Sequence, residues 1–148
     1  MAVEPLRVIQ ATIALLRNDA ELLALFQSVG KTKVQAYADL APREVDPVYI
    51  VMMMQGSDDT NVIDGERAFT NPTVQIVCVG KEGGYEEIGP FADRVDDLVR
   101  NNDGNVVDGV YIARMVRSAV MPYIDDIDNT RYYQIAQVYS NIAYAYTP

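Results

Sequence analysis

The sequence contains no histidine, and Cys78 is the single cysteine among its 148 residues. Without histidine the chain cannot build a Ser-His-Asp or Cys-His nucleophile, nor any metal site that depends on imidazole. A lone cysteine cannot form a disulfide within the chain and cannot alone hold a structural zinc ion. These absences favour binding or assembly over catalysis, and we expect no catalytic residue, no metal and no cofactor.

Basic residues are scarce as well. Twelve lysines and arginines stand against 21 acidic residues, which gives a formal charge of −9, the wrong sign for gripping nucleic acid. No apolar run approaches the roughly 20 residues that span a bilayer. The first five residues also lack the basic region and apolar core of a signal peptide. We therefore expect neither a membrane protein nor an exported one.

A hydrophobic fraction of 49% is present instead, as is usual for a globular protein. No linker, repeat or low-complexity segment divides the chain, so we predict a single domain over residues 1–148. Apolar residues at steps of three and four predict a helix over residues 4–27. A capping box from Asn18 to Glu21 predicts a break and restart inside it, and Gly30 predicts a left-handed stop.

Three strands are predicted next, over residues 33–37, 48–55 and 73–79. The second is a nearly unbroken apolar run, which is typical of a strand covered on both faces. The third alternates, so that Cys78 shares an apolar face with Val74 and Ile76 and is predicted to be a core residue. Residues 56–71 between them are polar and predict a long hairpin arm turning near Asp64, disordered in the isolated chain.

A second helix is predicted over residues 85–100, although Pro90 favours a start at residue 89. Its residues Asp93, Asp96 and Asp97 fall on one side and predict a solvated face rather than an acid–base pair. Two final strands, at about residues 106–121 and 131–146, flank an acidic turn at residues 125–129. This order predicts an α+β fold, with a mainly antiparallel sheet of four to five strands and two helices packed on one face.

The tyrosines concentrate at the end of the chain. Alternation places Tyr132, Tyr144 and Tyr146 on one face of the last predicted strand, and Tyr133 and Tyr139 on the other. Sheet packing accounts for one aromatic face. The second indicates contact with another protein, because aromatic side chains are favoured at such contacts. We therefore predict that Tyr132, Tyr133 and Tyr139 contribute to an interface between subunits.

Taken together, the order of elements resembles the tail terminator, or tail-completion, proteins of long-tailed bacteriophages. The segments that carry the resemblance are LLRNDAELLALF at 15–26, VQAY at 34–37, DPVYIV at 46–51, TVQIV at 73–77, FADRVDDL at 91–98 and YYQIAQVY at 132–139. They cover nearly the whole chain, which departs from the family in a longer region over residues 104–128. The resemblance implies a ring, usually of six subunits, that caps the head-proximal end of the tail tube and stops its polymerisation.

The same resemblance implies a structural virion protein without enzymatic activity, assembled in the host cytoplasm. Its implied partners are further copies of the chain, the tail tube protein and the head-completion connector, while genomic DNA passes through the lumen without specific binding. We add the charged residues of the arm to the interface candidates: Asp58, Asp59, Asp64, Glu66 and Arg67.

Two other classes of protein stay open at this point. One is a different virion component, a tail-tube or neck-connector subunit, because such subunits share small α+β designs. The other is a small bacterial enzyme or regulatory binding domain of similar topology. A pocket with converging polar groups would favour the latter class.

Overall fold

The computed structural model describes residues 5–42, 45–61, 67–101, 105–107, 110–112, 115–140 and 143–145, with the backbone alone for residues 5, 57–61, 67–72, 105–107, 110–112 and 143–145. The helices are α1 (Pro5–Arg17), α2 (Ala20–Ser28) and α3 (Gly84–Arg100). The strands are β1 (Ala36–Ala38), β2 (Tyr49–Asn61), β3 (Arg67–Gly80), β4 (Asn105–Val107), β5 (Val110–Ile112), β6 (Val116–Ile127), β7 (Thr130–Ser140) and β8 (Ala143–Ala145).

Five strands form a mixed sheet in the order β1-β2-β3-β7-β6. β1 runs parallel to β2, and the other neighbours are antiparallel. β8, β5 and β4 continue from the outer end of β3. The α+β class and the mainly antiparallel sheet are confirmed. The helical layer has three helices among the described residues rather than two, because the first predicted helix divides.

The division lies one residue later than the capping box predicted. Asp19, not Asn18, caps α2, and its carboxylate accepts a hydrogen bond from the Leu22 N–H at 2.8 Å. Asp19 is extended, with φ −83° and ψ 125°, as a capping residue must be. Gly30 follows α2 with φ +85°, which confirms the left-handed stop.

α3 begins at Gly84, which confirms the helix predicted over residues 85–100 to within one residue; the alternative start at residue 89 is wrong, and Pro90 lies inside the helix. A proline there removes one hydrogen bond, the one to the carbonyl of Glu86. Pro90 and Glu86 are both exposed, so water can satisfy that carbonyl. Ile88, Phe91 and Val95 form the buried face that holds the helix on the sheet.

The main core lies between the helices and one face of the sheet. Phe26 of α2 and Phe91 of α3 pack edge to face with ring centroids 4.8 Å apart. Beneath them lie Ile50, Ile76 and Cys78. The Cys78 side chain is fully buried, and burial raises the pKa of its thiol to about 12. Its prediction as a core residue is therefore confirmed.

The arm is a paired ribbon. β2 and β3 stay paired from Tyr49 with Val79 to Asn61 with Arg67, and the register shifts between Met54 and Gly56 and between Thr60 and Asn61. The predicted hairpin is confirmed, but disorder is wrong for its two flanks, because their backbone groups are paired. The turn itself, with Asp64, lies outside the described residues.

The two last predicted strands have different bounds. The first is divided among β4, β5 and β6, and β6 runs through most of the predicted acidic turn to Ile127. Only Asp128 and Asn129 turn the chain, with φ of 49° and 62°. Two consecutive positive φ values are the geometry of a tight two-residue hairpin, whose twist matches that of the flanking strands.

Candidate assembly interface

β6 lies at one end of the five-stranded sheet, and in the described part of the chain it pairs with β7 alone. Of the eight large hydrophobic side chains described as exposed, six belong to this strand. Their exposed fractions run from 36% to 64%, and the residues are Val116, Val120, Met121, Tyr123, Ile124 and Ile127. A long apolar edge strand whose second side is unpaired is a template for pairing with another chain.

Both faces of β6 contribute to this surface. Pairing with β7 places Met121 and Tyr123 on the face without helices, and Val120 and Ile124 on the helical face. Pro122 lies between Met121 and Tyr123. The proline nitrogen has no hydrogen to donate, and a strand accepts proline where that nitrogen faces an open edge. Backbone groups of alternate residues point the same way. The N–H groups of Val120 and Ile124 therefore face outward.

The opposite side of the sheet has a second open edge. β1 pairs with β2 only from Ile50 to Met52. Residues 53–61 of β2 pair with β3 on one side, and no other described strand pairs with their second side. Asp58 and Asp59 lie in this half of β2, opposite Asn71 and Thr70 of β3.

The face without helices carries a smaller apolar cluster of Val77, Val79 and Ala136, with Tyr49, Met53 and Tyr132 packed around it. A groove of about 480 Å³ runs beside it. Its walls include Tyr123 and Ile127 from β6, and Leu40 from the loop before β2. Burial raises the pKa of the Tyr49 and Tyr123 hydroxyls. The groove has both apolar and charged walls, the latter including Asp46 and Lys81, and it is continuous with the β6 surface.

The predicted tyrosines divide between the interior and the surface. Tyr139 is fully buried, and its hydroxyl lies 2.9 Å from both Asp96 and Gln137. Tyr133 is half-buried on the helical face, where its ring meets Tyr85 edge to face with centroids 5.3 Å apart. Tyr139 therefore serves the interior of its own subunit, which corrects its assignment to an interface.

A polar network joins α3 to β6 and β7. The Asp96 carboxylate, 8% exposed, lies 3.4 Å from the Arg117 guanidinium and 3.6 Å from that of Arg100. Gln137 donates a hydrogen bond to the Ala92 carbonyl at 3.0 Å. Burial and the neighbouring Asp96 raise the pKa of the Tyr139 hydroxyl above its ordinary value. The predicted solvated face of α3 is therefore wrong for Asp96, which is buried and paired.

Those of the predicted interface residues that the structure describes do not form one patch. Tyr132 lies beyond the last β3–β7 pair, Gly80 with Tyr133, at the end of β3 away from the arm. Arg67 begins β3 at the far end of the arm, while Asp64 and Glu66 are outside the described residues. The sequence analysis did not predict an interface on β6. A proline inside an otherwise apolar strand was the available signal, because it marks an edge.

Among the described residues, no group of acidic or thiol side chains has the arrangement of a metal site. None of the described helices combines the length and apolarity needed to cross a membrane.

Comparisons with known proteins bear on the fold. No protein-family model and no curated protein sequence matches this chain. Among solved structures, the chain is similar to a chain in the virion of a native gene transfer agent particle, with a TM-score of 0.64 and 18% sequence identity. The likeness covers 90% of this chain and 92% of the other. Over nearly its full length, the chain therefore shares its fold with a component of that virion.

Proposed function

We propose that this chain is a structural subunit of a virion and that it closes the head-proximal end of a tail tube as a ring. The observation that carries the proposal is the shared fold with a chain of a gene transfer agent virion, which spans 90% of this chain and 92% of that one. The resemblance of the sequence to tail terminators adds the position in the tail. The proposed role is one of contact, without a catalytic step.

The open edges of the sheet support assembly into a ring. Exposed apolar edge strands are a liability in a lone subunit, and a head-to-tail contact that closes by rotation covers the same surface in every copy. We take six as the number of copies from the family resemblance. One rim of the ring then meets the tail tube protein and the other meets the head-completion connector, while DNA passes through the lumen.

Deletion of the gene in cells that produce the particle tests this role. We expect tubes of uncontrolled length and heads without tails, seen by electron microscopy, because nothing then stops tube growth or joins tube to head. Supplying the chain from a plasmid should restore particles, and labelled antibody should mark the junction of head and tail.

The same experiment separates the main alternative, another virion subunit. Loss of a tube subunit would leave no tubes at all. Loss of a neck connector would leave tubes of normal length that are not attached to heads. Either result would contradict the role of a tail terminator.

A further inference from the structure

We propose that copies of this chain join head to tail, with β6 of one copy adding as a strand to the open half of β2, residues 53–61, of the next copy. This contact presupposes the ring proposed above and names the two surfaces that form it. The two edges lie on opposite sides of one sheet, so each copy offers one of them to each neighbour. Such a contact is heterologous and repeats around a ring.

The strand directions define how the edges meet. β2, β3, β7 and β6 alternate in direction across the sheet, so β6 is antiparallel to β2 within one copy. Rotation about a ring axis keeps that relation between neighbouring copies when the sheet continues from one to the next. The contact is therefore an antiparallel ladder, which also permits close pairing of side chains across it.

The charges agree with that direction. Arg117 stands near the start of β6, and an antiparallel ladder brings it to the end of β2 that contains Asp58 and Asp59. Asp125 and Asp126 near the end of β6 then lie along the uncharged start of the open half. A parallel ladder would reverse this arrangement and set acidic residues beside acidic residues, which is destabilising.

The lengths of the edges also favour residues 53–61 of β2 as the partner of β6. β6 has 12 residues. β2 has 13 residues, of which Tyr49 to Met52 precede the open half, and this leaves nine. β1, at the same side of the sheet, has only three residues. The open half of β2 is thus the edge, among those described, that can pair with most of β6.

The offset between the two edges fits a closed sheet. Through the registers of β7 and β3, Met121 of β6 lies level with Val51 of β2. Six ladder positions farther along β3, Asn71 lies opposite Asp58, near the middle of the open half. Six residues are about 20 Å, and four strand spacings are about 19 Å. The resulting tilt of roughly 45° is at the upper end of the range typical of closed sheets.

A pair of cysteine variants tests the contact on the purified chain. The offset sets Met121 of one copy opposite Asp58 of the next, and Tyr123 opposite the irregularity at Gln55 and Gly56. Tyr123 and Gln55 are both exposed on the face without helices, so the test uses Tyr123→Cys and Gln55→Cys with a short bis-maleimide. The native Cys78 is fully buried and its pKa is raised to about 12, so it should not react.

The double variant should give a ladder of covalent oligomers that ends at the size of the ring. Either single variant should stay monomeric on a denaturing gel, and an equal mixture of the two should stop at dimers. Dimers from Tyr123→Cys alone would show a two-fold contact between β6 strands and overturn the proposal. Absence of cross-linking in all samples would overturn it as well.

The outcome is independent of the role in the tail. A ladder from a chain whose deletion leaves tails normal would keep the contact and reject the terminator. Overlong tubes in the deletion strain, together with no ladder from the double variant, would keep the terminator and reject this contact.

Discussion

β6 and β7 are neighbouring strands of one hairpin, yet they differ in burial. Residues 136–139 of β7 are all buried, because β3 and β6 flank the strand, α3 packs on one face, and on the other face side chains of neighbouring strands surround Ala136. Most of β6 is exposed on both faces. Position in the sheet, and not aromatic content, therefore decides which of the two strands is available to another molecule.

The largest expected effect is on β7. Tyr139→Ala should lower the free energy of unfolding by about 3–5 kcal/mol, because it empties a fully buried site and removes the hydroxyl beside Asp96. Urea denaturation followed by circular dichroism measures this loss. Tyr123→Ala on β6 makes the same chemical change at an exposed position and should cost less than about 1.5 kcal/mol. Equal losses in the two variants would break the comparison.

The sequence predicted the covered parts of the molecule better than the open edge. Helical spacing and the alternation around Cys78 reflect burial, which local pattern records, so the core helices and central strands were found. Which strand lies at an edge depends on pairing between distant segments, and Pro122 within β6 was the local sign of it. Tyr139 and Tyr133 pack within their own subunit, so the tyrosines pointed to an interface that belongs to β6 in our proposal.

A smaller loss of stability is expected far from both strands. The Arg94 guanidinium donates to both oxygens of Asp19, at 2.7 and 2.9 Å. Asp19→Asn keeps the helix cap but loses this ion pair, so it should cost about 1–2 kcal/mol at neutral pH. The sedimentation coefficient of the assembled chain should not change. Loss of assembly in this variant would mean that stability alone, rather than β6, governs it.

The pH dependence of that loss follows from the pKa of Asp19. The hydrogen bonds from Arg94, opposed by burial, hold this pKa below its ordinary value. A lowered pKa in the folded chain stabilises it above the ordinary Asp pKa of about 3.9, and the contribution disappears as the pH falls through the lowered value. The difference in unfolding free energy between wild type and Asp19→Asn should therefore shrink below about pH 4. A constant difference would contradict the assigned pair.

On β6 we expect almost no loss of stability and a large loss of assembly. Val120→Lys combined with Ile124→Lys should change the unfolding free energy by less than about 1 kcal/mol, because both side chains are exposed. Lysines on an open edge oppose strand pairing, so sedimentation should shift to the monomer. Leu6→Lys, at an exposed apolar residue of α1, is the matched control and should assemble normally.

The smallest effect on the fold is expected from substitutions of the acidic residues in the arm between β2 and β3. Six copies at −9 each give a ring of about −54 before screening, and we propose that the arm faces the DNA channel and repels phosphate at short range. Changing Asp58, Asp59 and Asp64 to lysine should leave folding intact and slow DNA ejection, with the defect relieved by salt.

A control variant is needed, because Asp58 and Asp59 also lie in the edge of β2 that we assign to the contact with the neighbouring copy. The triple variant can therefore lose rings before any effect on DNA is measured. Asp64→Lys with Glu66→Lys avoids that edge and isolates the effect on DNA. Normal ejection at low salt by particles with intact rings of this double variant would remove the arm from the channel.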